Sequence, residues 1–143
     1  MRNVPRPPSR YVIAPEVAIA LARHEVPLLD EHELLAPTLF RSQVLSLLYQ
    51  AVARGETTKA DADQQLGYVR SLRMRLLGDR VLQSVAWKIA ADLGWADTFD
   101  AEYVALTRLQ ADALVTLNED LARAVAGVVA VAPLDALTRS AAP

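Results

Sequence analysis

Residues 97–121 read DTFDAEYVALTRLQADALVTLNEDL. Asp97 and Asp100 mark a helix start, because acids in a first turn accept from free N–H groups and complement the helix dipole. An amphipathic helix follows to about Gln110. Residues 113–117 are a short, mostly apolar run of strand length and predict a buried strand. A turn at Asn118 then leads into a short helix over residues 118–121. The strand closes on Thr116-Leu117-Asn118-Glu119-Asp120. Open α/β sheets place their sites beyond the carboxyl ends of strands, which makes this polar cluster the first candidate for chemistry.

Outward from this stretch, strands and helices alternate. Residues 1–9 are Pro-rich and predict a flexible tail. Residues 10–14 (RYVIA) predict the first strand, and Pro15 suits the first turn of a helix over 16–24. A charged connector leads to a short second strand at 34–36. Thr38 is a candidate N-cap for a helix over 39–54 that stops at Gly55. Thr58-Lys59-Ala60-Asp61 has the look of a capping box opening a helix to about Tyr68 or beyond. Residues 68–80 (YVRSLRMRLLGDR) are helical in pattern and locally basic. Gly78-Asp79 starts a helix to Leu93, ended by Gly94, and residues 127–131 (GVVAV) predict the last strand. The expected architecture is one three-layer α/β/α domain over 10–134 around a parallel sheet, with 135–143 as a tail.

Composition narrows the function classes. The chain has 143 residues, enough for one buried core, and is 52% hydrophobic but only 6% aromatic. It lacks cysteine, so disulfides, thiol nucleophiles and Cys-ligated metals are excluded. That composition fits a cytoplasmic protein. The start of the sequence does not read as a secretory signal, and the apolar run 124–134 is too short to span a bilayer. A net charge of −2 gives no global pull toward nucleic acid or an anionic membrane. No serine stands in a Gly-x-Ser-x-Gly context, and the five glycines form no phosphate loop.

Phe99-Asp100-Ala101-Glu102-Tyr103-Val104-Ala105-Leu106, followed by Leu114-Val115-Thr116-Leu117-Asn118, resembles the PIN-domain nucleases. The similarity is greatest to the VapC-type ribonuclease toxins of bacterial toxin–antitoxin pairs. It covers about residues 10–134. The resemblance implies a parallel sheet of four or five strands, a homodimer, an antitoxin-like protein partner, an RNA substrate, and Mg²⁺ or Mn²⁺ held by carboxylates. Such ions activate water and offset charge on a phosphodiester, and they prefer oxygen ligands.

The family's acids carry over one at a time. The first follows the first strand, where this chain has Ala14. The second lies early in the helix after the second strand, where this chain has Gln43. The third is Asp100, and the fourth position is Asn118. Three of the four carboxylates are replaced, two of them by the isosteric amide. The pocket charge implied by the resemblance falls from about −4 to about −1, which removes most of the attraction for a divalent ion. The expectation is a catalytically impaired protein that acts by binding protein or RNA. The alternative is a Mg²⁺- or Mn²⁺-dependent endoribonuclease whose Asp100 is helped by Glu16 and Asp120. Acids at helix starts also have a plain role as caps.

Other features are read more simply. Arg70, Arg73, Arg75 and Arg80, with Lys88 beyond, form a basic cluster that reads as a solvated helix face, with an RNA-facing ridge as the alternative. His24 and His32 lie eight apart in a charged connector and read as loop residues. Trp87 and Trp95 read as core or dimer-interface residues.

Overall fold

In the computed structural model, which describes residues 9–28 and 31–138, a five-stranded parallel sheet lies between layers of helices. The elements run β1 (Arg10–Ile13), α1 (Pro15–Arg23), β2 (Glu33–Pro37), α2 (Phe40–Ala53), α3 (Lys59–Ser71) and β3 (Met74–Leu77). They continue with α4 (Arg80–Leu93), α5 (Phe99–Gln110), β4 (Ala113–Val115), α6 (Glu119–Val125), β5 (Val131–Ala132) and a 3-10 turn at Leu134–Leu137. The strand order is β3-β2-β1-β4-β5. The chain therefore winds one way from β1 to β3, returns, and adds β4 on the other side of β1. The crevice between β1 and β4 is the point at which the winding reverses.

The centre of the sheet is fully apolar, as a sheet covered on both faces demands. Val12, Ile13, Leu35, Leu114 and Val115 are completely buried. Each such side chain contributes about 1.5–3 kcal/mol relative to exposure. Helix α5 lies across β1, β2 and β4, with α4 packed against it, while α1, α2 and α3 pack on one another. Several helix ends follow the expected chemistry. Thr58 Oγ1 accepts from the Asp61 N–H at 3.1 Å, and Asp79 Oδ1 accepts from the Leu82 N–H at 2.8 Å. Gly94 closes α4 in the left-handed conformation at φ 70°, which a glycine adopts without steric cost.

Four readings of the sequence are corrected. Residues 68–80 are not one helix: α3 ends at Ser71, Leu72 turns extended, and Met74–Leu77 forms β3 beside β2. Arg, Leu and Met favour a helix locally, but pairing with the open edge of β2 overrides that preference. Residues 127–130 are turn rather than strand. The Val128 and Val129 N–H groups both donate to the Val125 carbonyl, so the chain is still leaving α6 there and β5 begins only at Val131. Thr38 does not cap α2, whose cap position is Leu39 with no side-chain bond. Residues 135–138 belong to the domain, because Leu137 is completely buried in the core. The proposed tails at 1–8 and 139–143 lie outside the described residues.

One ion-pair cluster spans three strands. Glu33 on β2 accepts from Arg10 on β1 at 3.1 Å and from Arg75 on β3 at 3.0 Å. Register explains it, since Arg10 lies opposite Glu33 and Arg75 lies opposite Leu35, on the same face as Glu33. The hydrogen bond from Arg75 leads in holding the Glu33 carboxyl below its usual range, with Arg10 adding to the effect.

Truncating Leu137 to Ala should cost about 2–5 kcal/mol, as for other buried Leu→Ala changes. Urea denaturation checks this, and a loss under about 0.5 kcal/mol, normal for a surface change, would mean that the final turn is not part of the core.

Candidate functional site

Pro15 starts α1 immediately beyond β1, which brings Glu16 to the mouth of the crevice. Beyond β4 the chain turns at Thr116–Asn118 into α6. The two segments are tied directly. Thr116 Oγ1 donates to Glu16 Oε1 at 2.8 Å, and the Leu117 N–H donates to the same oxygen at 3.2 Å. The Ala14 N–H donates to the Val115 carbonyl at 3.0 Å and completes the seam.

A cavity of about 510 Å³ opens at this seam. Ala14, Glu16, Gln43, Asp100 and Asn118 all line it. All four positions of the family's acids are therefore gathered in one place, together with one of the two suggested substitutes. Among the described residues, no basic side chain lines this cavity. Asp120, the other substitute, lines a neighbouring depression with Asp97 and Asp100 and is ion-paired with Arg123.

The amides are engaged in protein hydrogen bonds. Tyr103, one turn after Asp100 on α5, donates its hydroxyl to Gln43 Oε1 at 2.6 Å. Asn118 Oδ1 accepts from the Leu121 N–H at 3.0 Å, so this side chain is the N-cap of α6. The Asn118 N–H in turn donates to Thr116 Oγ1 at 3.1 Å. An unbroken chain of contacts thus runs from Asn118 through Thr116 to Glu16. Asp97, one turn before Asp100, caps the start of α5 by accepting from the Phe99 N–H at 3.1 Å.

The electrostatics reflect what is left. Desolvation raises the Asp100 carboxyl above its ordinary value, and the negative charges of Asp97 and Glu16 push it further the same way. Burial raises the Tyr103 phenol, and Glu16, Asp100 and Glu102 add to the effect, so Tyr103 stays protonated and acts as a donor. Among the described residues, no group of three or more His, Asp or Glu side chains gathers in a metal-binding arrangement.

The residues of the basic cluster come from several elements. Arg70 closes α3, Arg73 lies in the turn before β3, and Arg80 opens α4 at the far end of that strand. Arg75, between them, is already paired with Glu33. Trp87 is 74% exposed and so is not a core residue, whereas Trp95 is partly buried against the core. His32 stacks edge-on against Tyr11, their ring centroids 5.3 Å apart. Sequence reasoning missed Tyr103 as a site residue, and it placed Thr116 in the candidate polar cluster without its partner Glu16. Gln43 and Tyr103 lie sixty positions apart, and Glu16 and Thr116 one hundred, so no local spacing reveals either contact.

The molecule is thus a parallel three-layer α/β/α domain with a polar, acid-poor cavity at its winding-reversal point. No family model matches the chain, and no curated protein matches it. Among solved structures it is similar to the crystal structure of PAE2754 from Pyrobaculum aerophilum, at 22% identity and a TM-score of 0.69. The match covers 90% of this chain and 92% of that one. At this identity the likeness shows the fold.

Two outcomes test the electrostatics. Tyr103→Phe should cost about 1 kcal/mol by leaving the Gln43 oxygen without its donor; an unchanged urea midpoint would mean water replaces the phenol fully. For Asp100 the raised pKa means that the folded state holds its proton more tightly than the unfolded chain. Its penalty therefore grows as pH rises from the ordinary 3.8 through the folded value. Asp100→Asn should raise the melting temperature at pH 7, with the gain vanishing below 3.8. A gain that is the same at both pH values would contradict the assignment.

Proposed function

We propose that this chain is a PIN-like, VapC-like protein whose nuclease site has become a neutral hydrogen-bonded cluster, and that it acts by binding. Partners consistent with the resemblance are an antitoxin-like protein, RNA, or a second copy in a homodimer, in a cytoplasmic setting. Among the described residues no helix is long and apolar enough to cross a membrane. One observation carries the reading: the oxygens at two positions of the family's acids already accept protein hydrogen bonds. Tyr103 occupies Gln43 and the Leu121 N–H occupies Asn118. Ala14 supplies no ligand, and Glu16 Oε1 is engaged by Thr116 and Leu117. This donor set does not fit a Mg²⁺ or Mn²⁺ ion, which takes carboxylates and water at tightly constrained geometry.

A second reading has its own support. Glu16 and Asp97 both raise the Asp100 carboxyl, and a cation placed among them would relieve that repulsion. It corresponds to a Mg²⁺- or Mn²⁺-dependent endoribonuclease toxin working with a rearranged acidic set.

Calorimetric titration of Mn²⁺ separates the two. The chain as it stands should release no binding heat, while a variant carrying Ala14→Asp, Gln43→Glu and Asn118→Asp should bind. Saturable binding to the unmodified chain that is abolished by Asp100→Asn would overturn the first reading, and RNA cleavage by the Mn²⁺-loaded chain would then test the second.

A further inference from the structure

Helix α2 is a wall shared by two cavities whose charged side chains are of opposite sign. One flank, through Gln43, Ser46 and Gln50, faces the site cavity that holds Glu16 and Asp100. The opposite flank, with α3 and β3, borders a separate, partly open cavity of about 460 Å³. That volume lies within the roughly 300–1,000 Å³ typical of small-molecule sites. Apolar side chains, Leu45, Leu66, Met74 and Leu76 among them, make up part of its lining. Among the described residues, the polar side chains lining it are Arg41, Ser42 and Arg70, with no acid.

The two arginines give the cavity its specificity. Arg10, Arg54, Arg75 and Arg123 each pair with a carboxylate, but among the described residues neither Arg41 nor Arg70 does. Both are solvent-exposed, so their guanidinium groups have water available as well as the cavity mouth. Apolar walls of low polarisability focus the field of such cations toward the opening. A guanidinium binds a carboxylate through two parallel hydrogen bonds, so the complementary headgroup is a carboxylate.

We propose that this cavity binds a small amphiphilic monocarboxylate, with its hydrocarbon body against Leu66, Met74 and Leu76 and its carboxylate between Arg41 and Arg70. An acidic peptide is the competing occupant. It would seek the free edge of β3, which offers only four residues for pairing. A compact ligand uses the cavity volume more fully.

The chain carries its own reporter. It has two methionines, Met1 and Met74, and Met74 lines the cavity. Protein labelled with ¹³C at the methionine methyls can be titrated with octanoate and, separately, with 1-octanol of the same chain length. The Met74 methyl should shift saturably, with octanoate binding about tenfold more tightly than the alcohol, as an added charge-assisted contact implies. Arg41→Gln with Arg70→Gln should abolish that preference, and Arg108→Gln, a remote surface change, should retain it. Far-UV circular dichroism confirms that the variants are folded. The comparison within the unmodified chain stands without them. Equal affinity for acid and alcohol, an unmoved Met74 methyl, or a Met74 shift produced by an acidic peptide but not by octanoate would each overturn the proposal.

Discussion

The carboxylate of Glu16 joins the two halves of the molecule where their winding reverses. It belongs to the first turn of α1, yet it accepts from Thr116 and Leu117, one hundred residues away in the loop beyond β4. That contact fixes the mouth of the β1/β4 crevice, and the shape of the main cavity depends on it. Thr116 passes the constraint on by accepting from the Asn118 N–H, and Asn118 then caps α6. One acid thus orders a turn, a helix start and the rim of a cavity. Such a side chain is a positioning element, with its Oε1 already engaged by two protein donors.

Across the cavity, Gln43 and Tyr103 do a similar job between α2 and α5. A carboxylate at position 43 would stand among Asp100, Glu16 and a buried phenol, in a place where like charges already push the Asp100 carboxyl upward. The amide keeps the shape and the acceptor oxygen without adding charge. The same holds for Asn118, since an amide oxygen caps a helix as well as a carboxylate does. Amides at both positions find their partners within the protein, with Asp100 as the remaining tension of the pocket.

The sequence made the centre of the fold legible and its edges less so. β1, β2 and β4 are short apolar runs bounded by Pro15, Pro37 and the Thr116–Asp120 polar cluster, and these signals are local. Thr58, Asp79 and Gly94 announce their helix ends by chemistry that acts within a few residues. β3 is different. Its Arg-rich, half-buried sequence becomes a strand only because β2 offers an edge, which no window of residues reveals. β5 failed for the opposite reason: the β-branched residues at 128 and 129 favour a strand, but the chain needs them to turn back from α6. In the site, the positions Ala14, Gln43, Asp100 and Asn118 were visible through resemblance, and they do meet in space. Their hydrogen-bond partners were not visible, because partnership across sixty or a hundred residues is a property of the tertiary fold.

The central claim is that amides at 43 and 118, with alanine at 14, make the cavity self-sufficient. Thermal unfolding in EDTA, comparing this chain with the Ala14→Asp, Gln43→Glu and Asn118→Asp triple variant, tests it most directly. The account predicts a lower melting temperature for the variant in EDTA and recovery of that loss on adding Mn²⁺, because the restored carboxylates repel one another until a cation joins them. A variant as stable in EDTA as the unmodified chain, and indifferent to Mn²⁺, would contradict it.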